Sequence, residues 1–307
     1  MTFAHQHILD INSLSQDDIN SILDLAKHYA QTNRSPNKKT DKLYGKTIAN
    51  MFFENSTRTR TSFEIAAKRL GADVINFSSQ TSSLTKGETM ADTMRVVDSM
   101  NVDCFVIRHK EDGFHKQASG IVNGSIINAG EGISAHPTQA LLDARTMLNH
   151  KPALESLRVA ICGDVEHSRV ARSNARLLQK FGAEVRFFAP PMFVPKDRDE
   201  LGVTLFDSLE EAIENADVVM MLRIQNERLE EGETPLASNI YHEKYGLNHE
   251  RLRHAKEDVI VMHPAPLNRG IEITSELADD EAYSVIFEQM EMGVAVRMAC
   301  LDLVLSQ

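Results

Sequence analysis

Residues 47–64, TIANMFFENSTRTRTSFE, contain the pattern that decides the predicted fold. The apolar run Thr47–Phe53 predicts a buried strand, and the polar residues after it lead into a helical stretch that Gly71 ends. The same order of apolar strand, polar segment and amphipathic helix recurs along most of the chain. The other candidate strands are Val74–Phe77, Asp103–Ile107, Ser125–Asn128, Arg158–Cys162, Glu184–Phe188, Asp217–Leu222 and Asp258–Met262. Because continuous apolar strands alternate with helices, we predict an α/β fold of doubly wound, mostly parallel sheets covered by helices.

A break in this pattern divides the chain of 307 residues into two parts. A helical stretch ends near Asn149, and a fresh series of strands and helices begins at Leu157. The predicted division is a first domain over 1–149, a second over 150–286, and a C-terminal helix over 287–307 that packs back on the first.

Charge and composition exclude several classes of protein. The 33 Lys and Arg against 44 Asp and Glu give a net charge of −11, which opposes binding to nucleic acid. No apolar run approaches the roughly 20 residues of a membrane span, and the first residues lack a signal-peptide pattern, so we expect a cytoplasmic protein. Cys104, Cys162 and Cys300 are far apart in apolar stretches, which favours reduced core thiols over a disulfide or metal site. We expect no metal.

Arginines stand at predicted helix starts, where they are unfavourable. Arg58 and Arg60 fall in the first helical turn after a capping Ser56 or Thr57, although the helix dipole disfavours cations there. Hydroxyls, backbone N–H groups and guanidinium groups that converge on a helix start make a phosphate site. The alternative is an exposed basic turn with an ordinary cap. The same pattern recurs where Ser168 precedes Arg169 and Arg172.

Two further arginines follow predicted strands. Arg108 follows Asp103–Ile107, and Arg223 follows Asp217–Leu222 with Gln225 two residues later. A single arginine in such a place is usually a surface ion-pair partner. Arginines at four strand ends of an acidic protein instead predict a small, highly anionic set of substrates, because ligands bind at the carboxyl ends of parallel strands.

Three further segments contain candidate ligand-binding residues. His136 and Gln139, one helical turn apart, are able to hydrogen-bond a carbonyl or an amide, although a lone histidine is often structural. His263-Pro-Ala-Pro266 predicts a rigid loop with outward carbonyls and a candidate cis bond at Ala265-Pro266. The polar loop from Ser79 to Thr89 is either a mobile loop or a lid carrying Lys86.

One glycine motif suggests a different class of protein. Gly130-Glu-Gly-Ile-Ser-Ala135 fits a weak dinucleotide fingerprint, but its strand is short and Pro137 falls in the first helical turn. A nucleotide-binding oxidoreductase and a non-catalytic phosphate-binding protein are therefore the competing interpretations from the residues alone.

Taken together, these motifs resemble the aspartate/ornithine carbamoyltransferases from the N-terminal helix to the C-terminal one. The motifs that carry the resemblance are Ser56–Arg60, Ser82–Thr89, Arg108-His109, His136–Gln139 and His263–Pro266. Arg223-Ile-Gln225 and His263-Pro-Ala-Pro266 favour the aspartate branch, because the ornithine enzymes carry His-Cys-Leu-Pro at the second motif. A carbamoyltransferase acting on ornithine is the alternative.

The resemblance implies transfer of a carbamoyl group from carbamoyl phosphate to L-aspartate in pyrimidine biosynthesis, without a cofactor. It also implies that carbamoyl phosphate binds the first domain and aspartate the second, with the active site in the cleft between them. The enzyme would be a homotrimer with shared active sites, to which regulatory chains or a dihydroorotase could bind.

The resemblance further implies roles for individual residues. The residues implied to hold the phosphate are Ser56, Thr57, Arg58 and Thr59, and those that polarise the carbonyl oxygen are Thr59, Arg108 and His136. The carbamoyl NH2 would be held by Gln139 and the carbonyls of Ala265 and Pro266. Aspartate would be held by Lys86, Arg169, Arg223 and Gln225. The residues implied to act in catalysis are Arg58, Thr59, Lys86, Arg108 and His136. Lys86 and a loop serine, Ser82 or Ser83, would come from a neighbouring subunit.

Overall fold

The computed structural model describes residues 3–78, 89–225 and 237–306. By its internal contacts the chain forms two compact units, Met1–Arg145 with Glu291–Gln307, and Thr146–Met290. Each unit contains a parallel sheet flanked by helices, which confirms the predicted fold class. None of the helices within the described ranges is long and apolar enough to cross a membrane.

The first unit is built around a parallel sheet. Its described strands are β1 (Thr47–Phe52), β2 (Asp73–Ser78), β3 (Cys104–His109) and β4 (Ser125–Glu131), in the spatial order β2-β1-β3-β4. Almost all residues of β1 and β3 are buried, because these central strands are covered on both faces. This burial explains their continuous apolar sequences. At the edge, Ile75 of β2 is 45% exposed.

The helices of the first unit lie before, between and after its strands along the chain. They are α1 (Gln16–Arg34), α2 (Thr57–Arg69), α3 (Met90–Asp98), α4 (Phe114–Ala118) and α5 (Pro137–His150), the last of which belongs to this unit as far as Arg145. Ser15 and Asp18 form a capping box that fixes the start of α1. Pro137 opens α5, where a missing N–H costs nothing because the first helical N–H has no partner within the helix.

Strands β3 and β4 both continue beyond their predicted ends. Arg108 and His109 belong to β3 rather than following it, and β4 runs to Glu131 instead of ending at Asn128. The register between the two strands shifts between Ile107 and His109, so that His109 pairs with Glu131. Such an irregularity inserts a residue and redirects side chains near the strand ends, and a strict apolar pattern does not reveal it.

The second unit also contains a parallel sheet. Its described strands are β5 (Arg158–Cys162), β6 (Glu184–Phe188), β7 (Thr204–Phe206), β8 (Val218–Met221) and β9 (Ile260–Met262), in the order β7-β6-β5-β8-β9. The prediction missed β7, because this edge strand has only three residues and is not fully buried. The other strands of this unit lie within two residues of their predicted bounds.

Short helices connect the strands of the second unit. They are α6 (Arg169–Lys180), α7 (Arg198–Leu201), α8 (Leu209–Ile213), α9 (Ser238–Tyr245), α10 (His249–Leu252) and α11 (Ser275–Ala278). The last helix, α12 (Ile286–Leu305), belongs to the first unit from Glu291 onward. There the Tyr29 hydroxyl of α1 donates a hydrogen bond to Asp302 of α12 at 2.7 Å.

Candidate active site

The N-terminus of α2 lies after the carboxyl end of β1 and carries cations in its first turn. Helix α2 begins at Thr57, which places Arg58 and Arg60 in that turn, and no acidic residue accompanies them. The arginines therefore stand where the sequence predicted them. Each opposes the helix dipole by about 0.3–1 kcal/mol, and a bound phosphate would reverse the sign of this interaction.

The predicted cap of α2 is wrong in one respect. Ser56 occupies the cap position, but its side chain makes no capping hydrogen bond within the part of the chain that the structure describes. The side chains of Ser15 and Ser168, at the starts of α1 and α6, do accept such hydrogen bonds. The first-turn N–H groups of α2 have no acceptors within the helix. An anion is therefore able to occupy the place that a capping hydroxyl takes elsewhere.

Arg108 is fixed beside the segment that leads into α2. Its Nε donates to Glu54 Oε2 at 3.1 Å, and one terminal nitrogen donates to the Ala129 carbonyl at 3.3 Å. Its side chain is only 15% exposed. These contacts connect the carboxyl end of β3 with the loop after β1 and with β4. The guanidinium is consequently held at the carboxyl edge of this sheet, where substrates bind in parallel folds.

His136 and Gln139 are both nearly buried at the start of α5. Gln139 donates from Nε2 to Asp143 Oδ1 at 2.9 Å, one turn further along the helix. Asp143 is completely buried, and Arg297 of α12 is 4% exposed. Asp143 and Arg297 were not predicted as site residues. The sequence offers a weak signal for each of them. Asp143 lies four residues after Gln139, and Arg297 is a cation within an apolar helical stretch.

Helix α6 repeats the arginine pattern of α2 in the second unit. Ser168 caps it as predicted, because its side chain accepts a hydrogen bond from the Ala171 N–H at 3.1 Å. Arg169 is the first residue of the helix and is 6% exposed. Arg172 instead donates to both carboxylate oxygens of Asp197, at 2.8 and 2.6 Å. The structure thus gives Arg172 an ion-pair role within the unit.

Gln225 is held through a buried aspartate. The Gln225 N–H donates to Asp164 Oδ2 at 3.0 Å, and its side-chain nitrogen donates to the His167 carbonyl at 2.9 Å. The other oxygen of Asp164 lies 2.9 Å from His167 Nδ1. Burial raises the pKa of the Asp164 carboxyl, although these hydrogen bonds act in the opposite direction. Asp164 thereby ties the segment that contains Arg223 and Gln225 to the loop after β5.

The loop after β9 is supported by a second buried network. Its Ala265-Pro266 bond is cis, and Ala265 has a φ of 54°. His263 Nδ1 accepts a hydrogen bond from the Ala265 N–H at 2.9 Å, which leaves Nε2 as the donor to Glu272 Oε1 at 3.1 Å. Both side chains are fully buried. His263 therefore supports the backbone of this loop through both ring nitrogens.

Some of the predicted site lies outside the described residues. Ser82, Ser83 and Lys86 fall between 79 and 88, so the predicted lid has no structural description. Among the residues that are described, no group of His, Cys, Asp or Glu side chains is arranged to hold a metal ion.

Together, these features define two parallel-sheet units that place arginines and polar groups at their strand ends. A family model for the carbamoyl-phosphate-binding domain of aspartate/ornithine carbamoyltransferases matches residues 6–149, and the model for the Asp/Orn-binding domain matches 155–304. The chain belongs to the aspartate/ornithine carbamoyltransferase family. The resemblance and the enzyme class expected from the sequence are therefore confirmed.

Curated relatives carry more specific names. The aspartate carbamoyltransferase catalytic subunit of Granulibacter bethesdensis is 53% identical over 98% of this chain and 95% of its own length. That of Rhodospirillum centenum is 53% identical over 98% and 94%. The solved aspartate transcarbamoylase of Trypanosoma cruzi, in complex with carbamoyl phosphate and aspartate, is 32% identical, covers 97% of this chain and 96% of its own, and has a TM-score of 0.86.

Proposed function

We propose that this enzyme transfers the carbamoyl group of carbamoyl phosphate to the amino group of L-aspartate, giving N-carbamoyl-L-aspartate and phosphate. The observation that carries the proposal is the N-terminus of α2, where Arg58 stands in a first turn without a side-chain cap and Arg108 is tied to the preceding loop. The relatives named as aspartate carbamoyltransferases support aspartate as the acceptor.

The proposed phosphate site lies at the start of α2. Its residues are Ser56, Thr57, Arg58 and Thr59. The aspartate amine attacks the carbonyl carbon to give a tetrahedral species, after which the carbon–oxygen bond to phosphate breaks and the phosphate takes the amine proton. Arg58 neutralises the charge that develops on the departing phosphate, while Thr59, Arg108 and His136 donate hydrogen bonds to the carbonyl oxygen.

The carbamoyl NH2 and the aspartate carboxylates need different partners. The NH2 group donates to the Gln139 side-chain oxygen and to the carbonyls of Ala265 and Pro266. Arg169, Arg223 and Gln225 bind the two carboxylates, since a guanidinium matches a carboxylate in charge and shape. The proposed roles therefore fall on residues from both halves of the sequence. Ornithine, whose side chain is cationic, would be repelled by the same arginines.

We also propose an oligomeric state, a pathway and a cellular compartment for the enzyme. We place the enzyme in pyrimidine biosynthesis in the cytoplasm, as a homotrimer in which Ser82 and Lys86 reach the active site of a neighbouring subunit. Regulatory chains or a dihydroorotase are candidate partners of that trimer. Mixing Lys86→Ala with Arg58→Ala chains tests the shared sites, because a mixed trimer would contain some sites that carry neither change. Mixed trimers as inactive as their parents would place both residues in one subunit's site.

Release of phosphate from carbamoyl phosphate tests the reaction itself. The purified protein should release phosphate with L-aspartate and form N-carbamoyl-L-aspartate in equal amount. L-ornithine at the same concentration serves as the control and should give no release above background. Release with ornithine alone would assign the protein to the other branch of the family, and binding of phosphate without turnover would make it a non-catalytic phosphate-binding protein.

A further inference from the structure

Gln139 has two chemically different ends, and only one of them suits the proposed ligand. Its amide oxygen accepts a hydrogen bond, whereas its NH2 group only donates. The carbamoyl group presents an NH2 donor, so the proposed contact works only when the Gln139 oxygen faces the substrate. A rotation of the amide by half a turn would place two NH2 groups against each other.

Asp143 determines which end of the Gln139 amide is free to face the substrate. The Gln139 Nε2 donates to Asp143 Oδ1 at 2.9 Å, and an ionised carboxylate accepts hydrogen bonds but donates none. Both side chains are nearly or completely buried, at 6% and 0% exposure, so water competes little for this contact. The NH2 end is consequently held toward Asp143, and the oxygen is left on the opposite side.

Arg297 is a buried guanidinium that interacts electrostatically with Asp143. Its guanidinium carbon lies 5.1 Å from the centre of the Phe63 ring of α2, and a Cβ atom on Gly293 would lie 2.7 Å from one of its terminal nitrogens. The glycine thus makes room for the guanidinium against α5. Burial lowers the pKa of Arg297 to about 10, against the opposing effects of Cys300 and Asp143, which leaves it a cation at neutral pH.

We propose that Asp143 is a positioning residue that orients the Gln139 amide and thereby makes the site prefer a carbamoyl group to an acetyl group. This inference rests on the proposed function, because it assumes that Gln139 binds the carbamoyl NH2. Acetyl phosphate is the matched probe, since it carries CH3 where carbamoyl phosphate carries NH2. Inorganic phosphate reports on the phosphate site alone.

The central experiment compares the binding of these three molecules to the full-length protein and its variants. In Asp143→Asn, the positive Arg297 attracts the oxygen of the introduced amide, so the NH2 group of that amide turns toward Gln139. Because two NH2 groups cannot hydrogen-bond to each other, the Gln139 amide then rotates and its own NH2 group faces the substrate. We expect carbamoyl phosphate to bind about tenfold more weakly, the loss of one hydrogen bond. Acetyl phosphate and inorganic phosphate should change by less than about twofold, because neither uses that hydrogen bond.

Control variants separate positioning from general stability. Asp302→Asn likewise replaces a buried carboxylate of the same unit that accepts a hydrogen bond, in this case from the Tyr29 hydroxyl. Because Asp302 does not hydrogen-bond Gln139, the preference for carbamoyl over acetyl phosphate should be unchanged in this variant. If Asp143 only stabilised the unit, all three molecules would bind Asp143→Asn more weakly together. That result would overturn the inference.

Two substitutions at Gln139 complete the design. Gln139→Leu should abolish the preference, and if it has no effect, the role of Gln139 in the proposed function fails as well. If Gln139→Leu loses the preference for carbamoyl over acetyl phosphate while Asp143→Asn keeps it, the positioning role of Asp143 is refuted and the role of Gln139 is not.

Gln139→Glu places two carboxylates together and should bind carbamoyl phosphate poorly. The double variant Gln139→Glu/Asp143→Asn transposes the carboxylate and the amide and should restore the preference. This pair decides the question even if Asp143→Asn alone does not fold, because no recovery in the double variant would also refute the role of Asp143.

Discussion

Arg58→Ala should lower turnover strongly and leave the unfolding free energy nearly unchanged. The side chain is exposed in the first turn of α2, where its charge opposes the helix dipole, so its removal should change the unfolding free energy by less than about 1 kcal/mol. At the departing phosphate, a guanidinium makes up to two charge-assisted hydrogen bonds. Their loss costs about 3–6 kcal/mol, which lowers kcat by roughly 10²- to 10⁴-fold.

Arg60→Ala is the control for this experiment, because Arg60 is an exposed arginine in the same turn without a proposed role. Steady-state kinetics and urea unfolding of both variants would give the two quantities separately. The Arg60 variant should retain its kcat within about threefold. A fall of less than about tenfold in Arg58→Ala, or equal falls in both variants, would refute charge neutralisation by Arg58.

The remaining predictions concern the second unit. Arg223→Ala should raise the KM for aspartate by at least about tenfold through loss of a charge-assisted contact, while the KM for carbamoyl phosphate stays nearly constant; equal changes in both would remove Arg223 from the aspartate site. Arg172 holds the pKa of Asp197 below its usual range, although partial burial acts the other way. The stability that this pair contributes is therefore present at neutral pH and lost as the pH falls below about 3.9 through the lower pKa of the folded state. Asp197→Asn should accordingly lower Tm at pH 7 but not at acid pH, and a constant difference across this range would contradict the assignment. His263→Leu removes the hydrogen bond from Nε2 to Glu272 Oε1 and leaves that oxygen with the Asn268 N–H. Urea unfolding should show a loss of about 1.5–3 kcal/mol, and a loss below about 0.5 kcal/mol would mean that this contact does not support the loop.

The sequence predicted those strands that are buried on both faces. The candidate Arg158–Cys162 matches β5 at both ends, because a central parallel strand has a continuous apolar sequence bounded by polar residues. The edge strand β7 was missed because three incompletely buried residues carry no such signal. The extension of β4 to Glu131 depends on a register shift against β3, which is a property of the pair of strands and is absent from either sequence alone.

The sequence patterns of helix starts identified the arginines but did not show which of them bind a ligand and which form ion pairs within the protein. Arg169 and Arg172 occupy the same first turn of α6, yet Arg172 is engaged by Asp197, which lies 25 residues further along the chain. The buried contacts of Gln139 with Asp143, and of His263 with Glu272, were missed for a related reason. Each requires side chains of known orientation, whereas spacing along the sequence indicates only which residues share a helix face.

The caps of α2 and α6 differ, and the difference matches the two ligands proposed for these helix starts. In α6 the Ser168 side chain already accepts a hydrogen bond from the first turn, so a ligand there depends on the side chain of Arg169. In α2 the Ser56 side chain leaves the first-turn N–H groups to other acceptors. A phosphate presents several oxygens and uses backbone N–H groups, a hydroxyl and a guanidinium together, whereas a carboxylate is satisfied by a guanidinium alone. The uncapped helix therefore suits the proposed phosphate site and the capped helix suits the proposed aspartate site, although both are preceded by a serine and carry arginine in the first turn.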